Sequence, residues 1–246
     1  MPALVDDEHD ALVPLRQKDL ALLVYLRMEP HREHARSSLA SLLWSECDEH
    51  RARHSLSQAL GRIREALGDT ALAVGRETVH WRGALPCDAA QLEDGDPTTV
   101  DAELRLYAGD FVVGLALGDG AAAFDEWADA RRAFLRRRAA QLLDSSAAEC
   151  ERLGRHGMAL QLASRLIEIE PLSESAHRRL MRAWAALGER AMALRHYHQL
   201  QRNLRKEEGL EPDPATQALA AELRGAWADP PESKALATTG SHRRQR

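Results

Sequence analysis

The sequence comprises 246 residues, enough for one large domain or two of ordinary size. Its 44% hydrophobic and 29% charged content is that of a globular chain, and a formal net charge of -5 excludes a uniformly basic nucleic-acid coat protein without excluding a local basic face. No apolar run approaches the roughly 18 residues that span a bilayer and the N-terminus has no signal-peptide pattern, so a cytoplasmic protein without membrane contacts is expected.

Two short apolar segments, Ala3–Val5 and Ala11–Leu15, flank the polar stretch DDEHD and read as a small hairpin. A first helix follows in QKDLALLVYLRMEP, where Leu20, Leu23 and Val24 recur at helical spacing and Pro30 ends the run. A second short helix fits SSLASLLW, with Ser37 or Ser38 as its cap and Leu39, Leu42 and Leu43 as its buried stripe. The third and longest, DEHRARHSLSQALGRIREALG, opens on Asp48 as N-cap and closes on Gly68. The stretch TALAVGRETVHWRG then alternates around a turn and predicts a second hairpin. Strands, three helices and a hairpin within about 90 residues are the layout of a winged helix-turn-helix.

From Leu104 onward the pattern is almost purely helical, with breaks at Gly154, Pro171, Gly188 and Pro212. The change in composition predicts a winged helix over 1–92, a linker over 93–99 where acidic, Gly, Pro and Thr residues cluster, and a helical domain over 100–228. The polar remainder, 229–246, is expected to be a disordered tail. Within the helical half, LGRHGMAL at Leu153 and LGERAMAL at Leu187 lie 34 residues apart, the tetratricopeptide period. Ala159 then corresponds to Ala193, Ala163 to Tyr197 and Leu166 to Leu200. The fold class is therefore mainly α, a winged helix-turn-helix followed by a tetratricopeptide-like repeat domain.

The third helix is the informative one. At about 100° per residue, Ala52, Leu56, Ala59, Leu60, Ile63 and Leu67 share a face that must be buried. His50, His54, Ser57, Gln58 and Gly61 lie opposite, small or hydrogen-bonding residues of the kind that approach base edges in a major groove. Arg51 and Arg62 flank that stripe on one side, and Arg53 and Arg64 on the other. From His50 to Arg64 there is no acid, so the arrangement suits a groove whose phosphate walls need cations. Arg76, at the hairpin turn, is a candidate wing contact to the DNA backbone or minor groove. The expected DNA-binding set is Arg51, Arg53, His54, Ser57, Gln58, Arg62, Arg64 and Arg76.

Other chemistry finds little support in the sequence. Cys47, Cys87 and Cys150 are odd in number and lack CxxC spacing, against a disulfide framework or a cysteine zinc site. His50 and His54, and His196 and His198, form pairs without a third ligand, so no metal is expected. No GxSxG, GxGxxG or clustered Cys-His-Asp pattern occurs, and neither an enzyme nor a cofactor is expected.

The stretch LLWSECDEHRARHSLSQALGRIREAL resembles the winged-helix DNA-binding domain of the Streptomyces antibiotic regulatory proteins, of the response-regulator type. LYAGDFVVGL, FDEWADARRAFLRRRAAQLL, EPLSESAHRRLMRAWAALGERAMALRHY and EEGLEP are similar to the bacterial transcriptional activation domain paired with it. The resemblance covers about residues 4–225. It implies a small, stand-alone activator that binds direct repeats in double-stranded promoter DNA, as a homodimer on DNA, and recruits RNA polymerase. Ser57 stands where family members often carry arginine, and Glu65 where a basic residue is frequent. The alternative function is a repeat scaffold or co-regulator whose winged helix makes protein rather than DNA contacts.

Overall fold

A computed structural model describes residues 5–6, 11–12, 15–94, 107 and 109–228. The expected tail at 229–246, and the expected linker from 95 on, lie outside the described residues; 93 and 94 belong to a helix. Packing divides the chain into two compact units, Met1–Ala139 and Ala140–Arg246, a division well beyond the 93–99 boundary drawn from composition.

The first unit begins with strands β1 (Val5–Asp6) and β2 (Ala11–Leu12), paired antiparallel with Val5 opposite Leu12, as the hairpin reading expects. Helices α1 (Gln17–Met28), α2 (Arg36–Leu43) and α3 (Glu49–Leu67) follow, then the hairpin strands β4 (Leu72–Val74) and β5 (Thr78–Trp81). Strand β3 (His34–Ala35), just before α2, completes a three-stranded antiparallel sheet in the order β3-β5-β4. Two residues offer no alternation to read, so β3 was invisible in the sequence.

The caps explain where α3 starts and stops. The Asp48 carboxylate accepts the Arg51 N–H at 3.0 Å, a bond that satisfies one of the helix's unpaired amides, and Gly68 at φ 86° ends it in a conformation open to glycine. The start of α2 corrects the sequence reading. Neither Ser37 nor Ser38 caps it: both lie inside the helix, the N-cap is Ala35, and no side chain accepts its amides. The Arg36 N–H instead donates to the Glu77 carbonyl at 2.9 Å, tying the helix to the hairpin turn.

The core of this unit combines Leu22 and Leu26 of α1, Leu39 and Leu43 of α2, Leu56, Leu60 and Ile63 of α3, and Val79 and Trp81 of β5. It does not close there. After α4 (Asp88–Asp94), the first turns of the long helix α5 (Ala122–Arg152) insert Phe124 and Ala128 into the same core, with Ala121. Trp127 packs edge-on against Tyr25 at 4.9 Å between centroids, and Arg131 bridges Glu29 at 2.6 Å and Glu93 at 2.5 Å. Phe124 is 1% exposed, and burial of its side chain is worth roughly 2–3 kcal/mol.

In the second unit, the remainder of α5 is followed by α6 (His156–Ile169), α7 (Glu174–Ala186), α8 (Arg190–Glu207) and α9 (Pro214–Ala228), with neighbouring helices from α6 to α9 packed in sequence. The repeat positions behave as the 34-residue period requires. Ala159 and Ala193 are both 0% exposed, Ala163 and Tyr197 are both buried, and so are Leu166 and Leu200. Small residues at the crossings let the paired helices approach. Gly154 and Gly188, each at positive φ, make the equivalent turns into α6 and α8. Asp213 caps α9 by accepting the Thr216 N–H at 2.7 Å, and Arg178 and Glu174 of α7 clamp that cap through its carboxylate and its own N–H.

Candidate nucleic-acid interface

Helix α3 buries Ala52, Leu56, Ala59, Leu60 and Ile63, with Leu67 partly buried, the stripe expected from periodicity. The orientation this forces leaves His50, His54, Ser57, Gln58 and Gly61 exposed on the other side. His54 and Gln58, one turn apart, meet at 3.0 Å between imidazole Nε2 and amide nitrogen. A Cβ added to Gly61 would meet nothing within 4 Å, so the middle of this face is open.

The arginines divide into two kinds. Arg51 and Arg53 are well exposed, with side-chain accessibilities of 80% and 54%, and their partners Asp48 (3.3 Å) and Glu49 (2.8 Å) are exposed too. Such surface pairs contribute little and yield readily to a phosphate. Arg64 pairs with exposed Asp69 at 2.6 Å. Arg76 stands at the hairpin turn, 96% exposed, 3.8 Å from Glu77.

Arg62 is placed differently from the rail arginine the sequence suggested. Its guanidinium grips Asp19 of α1 through two hydrogen bonds of 2.7 Å, and Asp19 is 1% exposed. Hydrogen bonding to that carboxylate raises the Arg62 pKa above its usual value. A buried carboxylate needs this partner, so Arg62 fastens α3 to α1 rather than facing outward.

Arg36 was missed. From the first turn of α2 its guanidinium donates to the Ser57 Oγ at 2.6 Å, while the Ser57 hydroxyl donates to the Arg53 carbonyl at 2.8 Å. A guanidinium from the neighbouring helix is thus placed on the exposed face at Ser57. The contact spans 21 residues, and no local pattern announces it.

The chain thus carries a winged helix with the polar side of its third helix outward, followed in sequence by repeat-type helical pairs. The chain belongs to the bacterial transcriptional activator domain family, whose model matches residues 87–224, more than half the sequence. The matched span takes in the segments LYAGDFVVGL to EEGLEP, which resemble the activation domain of the Streptomyces antibiotic regulatory proteins. No curated protein matches the sequence. The structure is similar to that of Mycobacterium tuberculosis EmbR, solved in complex with a low-affinity phosphopeptide, with a TM-score of 0.59 at 18% sequence identity. The match covers 88% of this chain and 62% of the EmbR chain, so this sequence spans less than two thirds of that protein. At such identity the likeness is one of fold. Among the described residues no helix is long and apolar enough to cross a membrane.

Proposed function

We propose that this chain is a sequence-specific DNA-binding transcriptional activator. Helix α3 enters the major groove with His54, Ser57 and Gln58 toward base edges, and Arg36, Arg51, Arg53, Arg64 and Arg76 meet phosphates or groove walls. The helical-repeat unit makes the protein contacts that recruit RNA polymerase, and the protein binds repeated promoter sites as a homodimer in the cytoplasm. The observation that supports this reading is the exposed polar face of α3, hydrogen-bonding side chains around an open Gly61 with movable arginines beside them.

A gel-shift titration of the full chain on promoter fragments and on scrambled duplexes, at several salt concentrations, tests it. Five arginines at phosphates would give a log–log salt slope of roughly -4.5 per protomer, with one fragment bound orders of magnitude more tightly than scrambled DNA. Salt-independent or absent DNA binding would leave the scaffold reading, in which the winged helix contacts protein.

A further inference from the structure

The outer side of α8 concentrates positive charge. Its inner side buries Ala193, Tyr197, Leu200 and Leu204 in the repeat core. Arg195, Gln199, Arg202 and Lys206 are all exposed, and their spacing of four, three and four residues places them on one line about 16 Å long. From Arg190 to Lys206 the helix contains no acid.

Several other arginines of the same unit find carboxylates: Arg152 meets Glu149, Arg165 meets Glu168, Arg178 meets Asp213, Arg179 meets Asp144 and Glu151, and Arg205, off the line on α8, meets Glu211. The line on α8 is different. Arg195 touches the Met192 sulfur, Arg202 donates to the Gln199 Oε1 at 2.5 Å, and among the described residues no carboxylate lies within ion-pair distance of Arg195, Arg202 or Lys206. Contacts to a thioether and a neutral amide are weak for a guanidinium, so both arginines are free to turn to an anion.

We infer that this line is a docking surface for a carboxylate-rich segment of a partner protein, an inference that rests on the reading of the repeat unit as a protein-contact module. Its ends decide between a protein and a nucleic acid. Exposed Glu189 precedes the line, and exposed Glu207 and Glu208 follow it. A phosphate backbone running on past either end would meet like charge, whereas a short acidic segment of matching length meets three cations and the neutral Gln199 and no carboxylate of the line. An acidic helix laid alongside repeats its carboxylates at the same three- and four-residue spacing.

The test uses the full chain, a short fluorescein-labelled peptide of alternating Asp and Glu, and a random-sequence DNA duplex. The triple variant Arg195→Ala, Arg202→Ala, Lys206→Ala is compared with Arg137→Ala, Arg155→Ala, Arg182→Ala, which removes the same charge from other exposed positions. The first variant should lose about tenfold in peptide affinity at low salt. It should leave duplex binding at the parent level, and the second variant should leave peptide binding there. The inference falls if the parent does not bind the peptide, if both triples lose it equally, or if the first variant loses the duplex instead. Failure of the parent to bind any duplex strikes the α3 reading and leaves the peptide comparison standing.

Discussion

Replacing Arg62 with alanine separates two roles for the third helix. In the structure this would strip two 2.7 Å charge-assisted hydrogen bonds from Asp19, leaving a carboxylate that is 1% exposed with, among the described residues, the Arg16 N–H at 3.2 Å as its remaining donor. Breaking a buried ion pair from one side costs about 3–5 kcal/mol, and the lower end applies here because Arg62 is 29% exposed and water can partly follow. A loss of about 3 kcal/mol in a unit of this size corresponds to a melting-temperature drop of roughly 10 °C. Circular-dichroism melts of the full chain measure it. Replacing both partners, Asp19→Leu with Arg62→Leu, should recover most of the loss, because no charge is then stranded. An Arg62→Ala variant that melts with the parent but binds DNA with a salt slope shallower by one unit would refute this reasoning and return Arg62 to the phosphate-contacting set.

Gly61→Ala should raise stability by about 1 kcal/mol, since the helix interior is open there, while weakening DNA binding if this face approaches a groove closely; melts and gel shifts on one preparation read both signs. Ala193→Phe should overpack the α8 crossing and cost about 1–3 kcal/mol, and an unchanged melt would contradict the repeat packing. His177 and His196 meet at 2.6 Å inside the repeat unit. Because the Pro171 carbonyl can only accept, the His177 Nε2 donates to it and the His177 Nδ1 accepts from His196. Burial lowers both pKa values, that of His196 to about 4, from an unfolded value near 6.5. The folded state therefore binds fewer protons than the unfolded one between those values. Stability from this pair is full above about pH 6.5 and falls as pH drops toward 4, so the melting temperature should decline from pH 7.5 to 5 and decline less in a His177→Leu, His196→Leu variant.

What the sequence disclosed and what it hid follow the range of the interactions. Asp48 and Gly68 bound α3 through contacts within one turn, so the helix was legible to its ends. The repeat was legible because each 34-residue unit buries the same positions, Ala159 with Ala193 and Leu166 with Leu200. The polar face of α3 was likewise readable, since burying one stripe exposes the opposite one. Partners far along the chain were not. The Asp19 of Arg62 lies 43 residues away, and an arginine in an acid-free run looks solvated until its neighbour is known. Arg36 was hidden for the same reason, and α2 lost its expected serine cap to a carbonyl in the hairpin turn. Phe124 and Ala128 lie past the 93–99 boundary read from composition yet belong to the core of the first unit, because a helical pattern does not disclose which core it enters.

Base reading by α3 is tested most directly by isotherms of the parent, His54→Ala and Gln58→Ala on a duplex selected by the parent from a random library, and on its scrambled counterpart. Each substitution removes a side chain from the exposed stripe and no buried contact. At least one should lower the ratio of selected to scrambled affinity by about tenfold, with scrambled binding nearly unchanged. Retention of the parent ratio by both would show that this face of α3 does not read DNA.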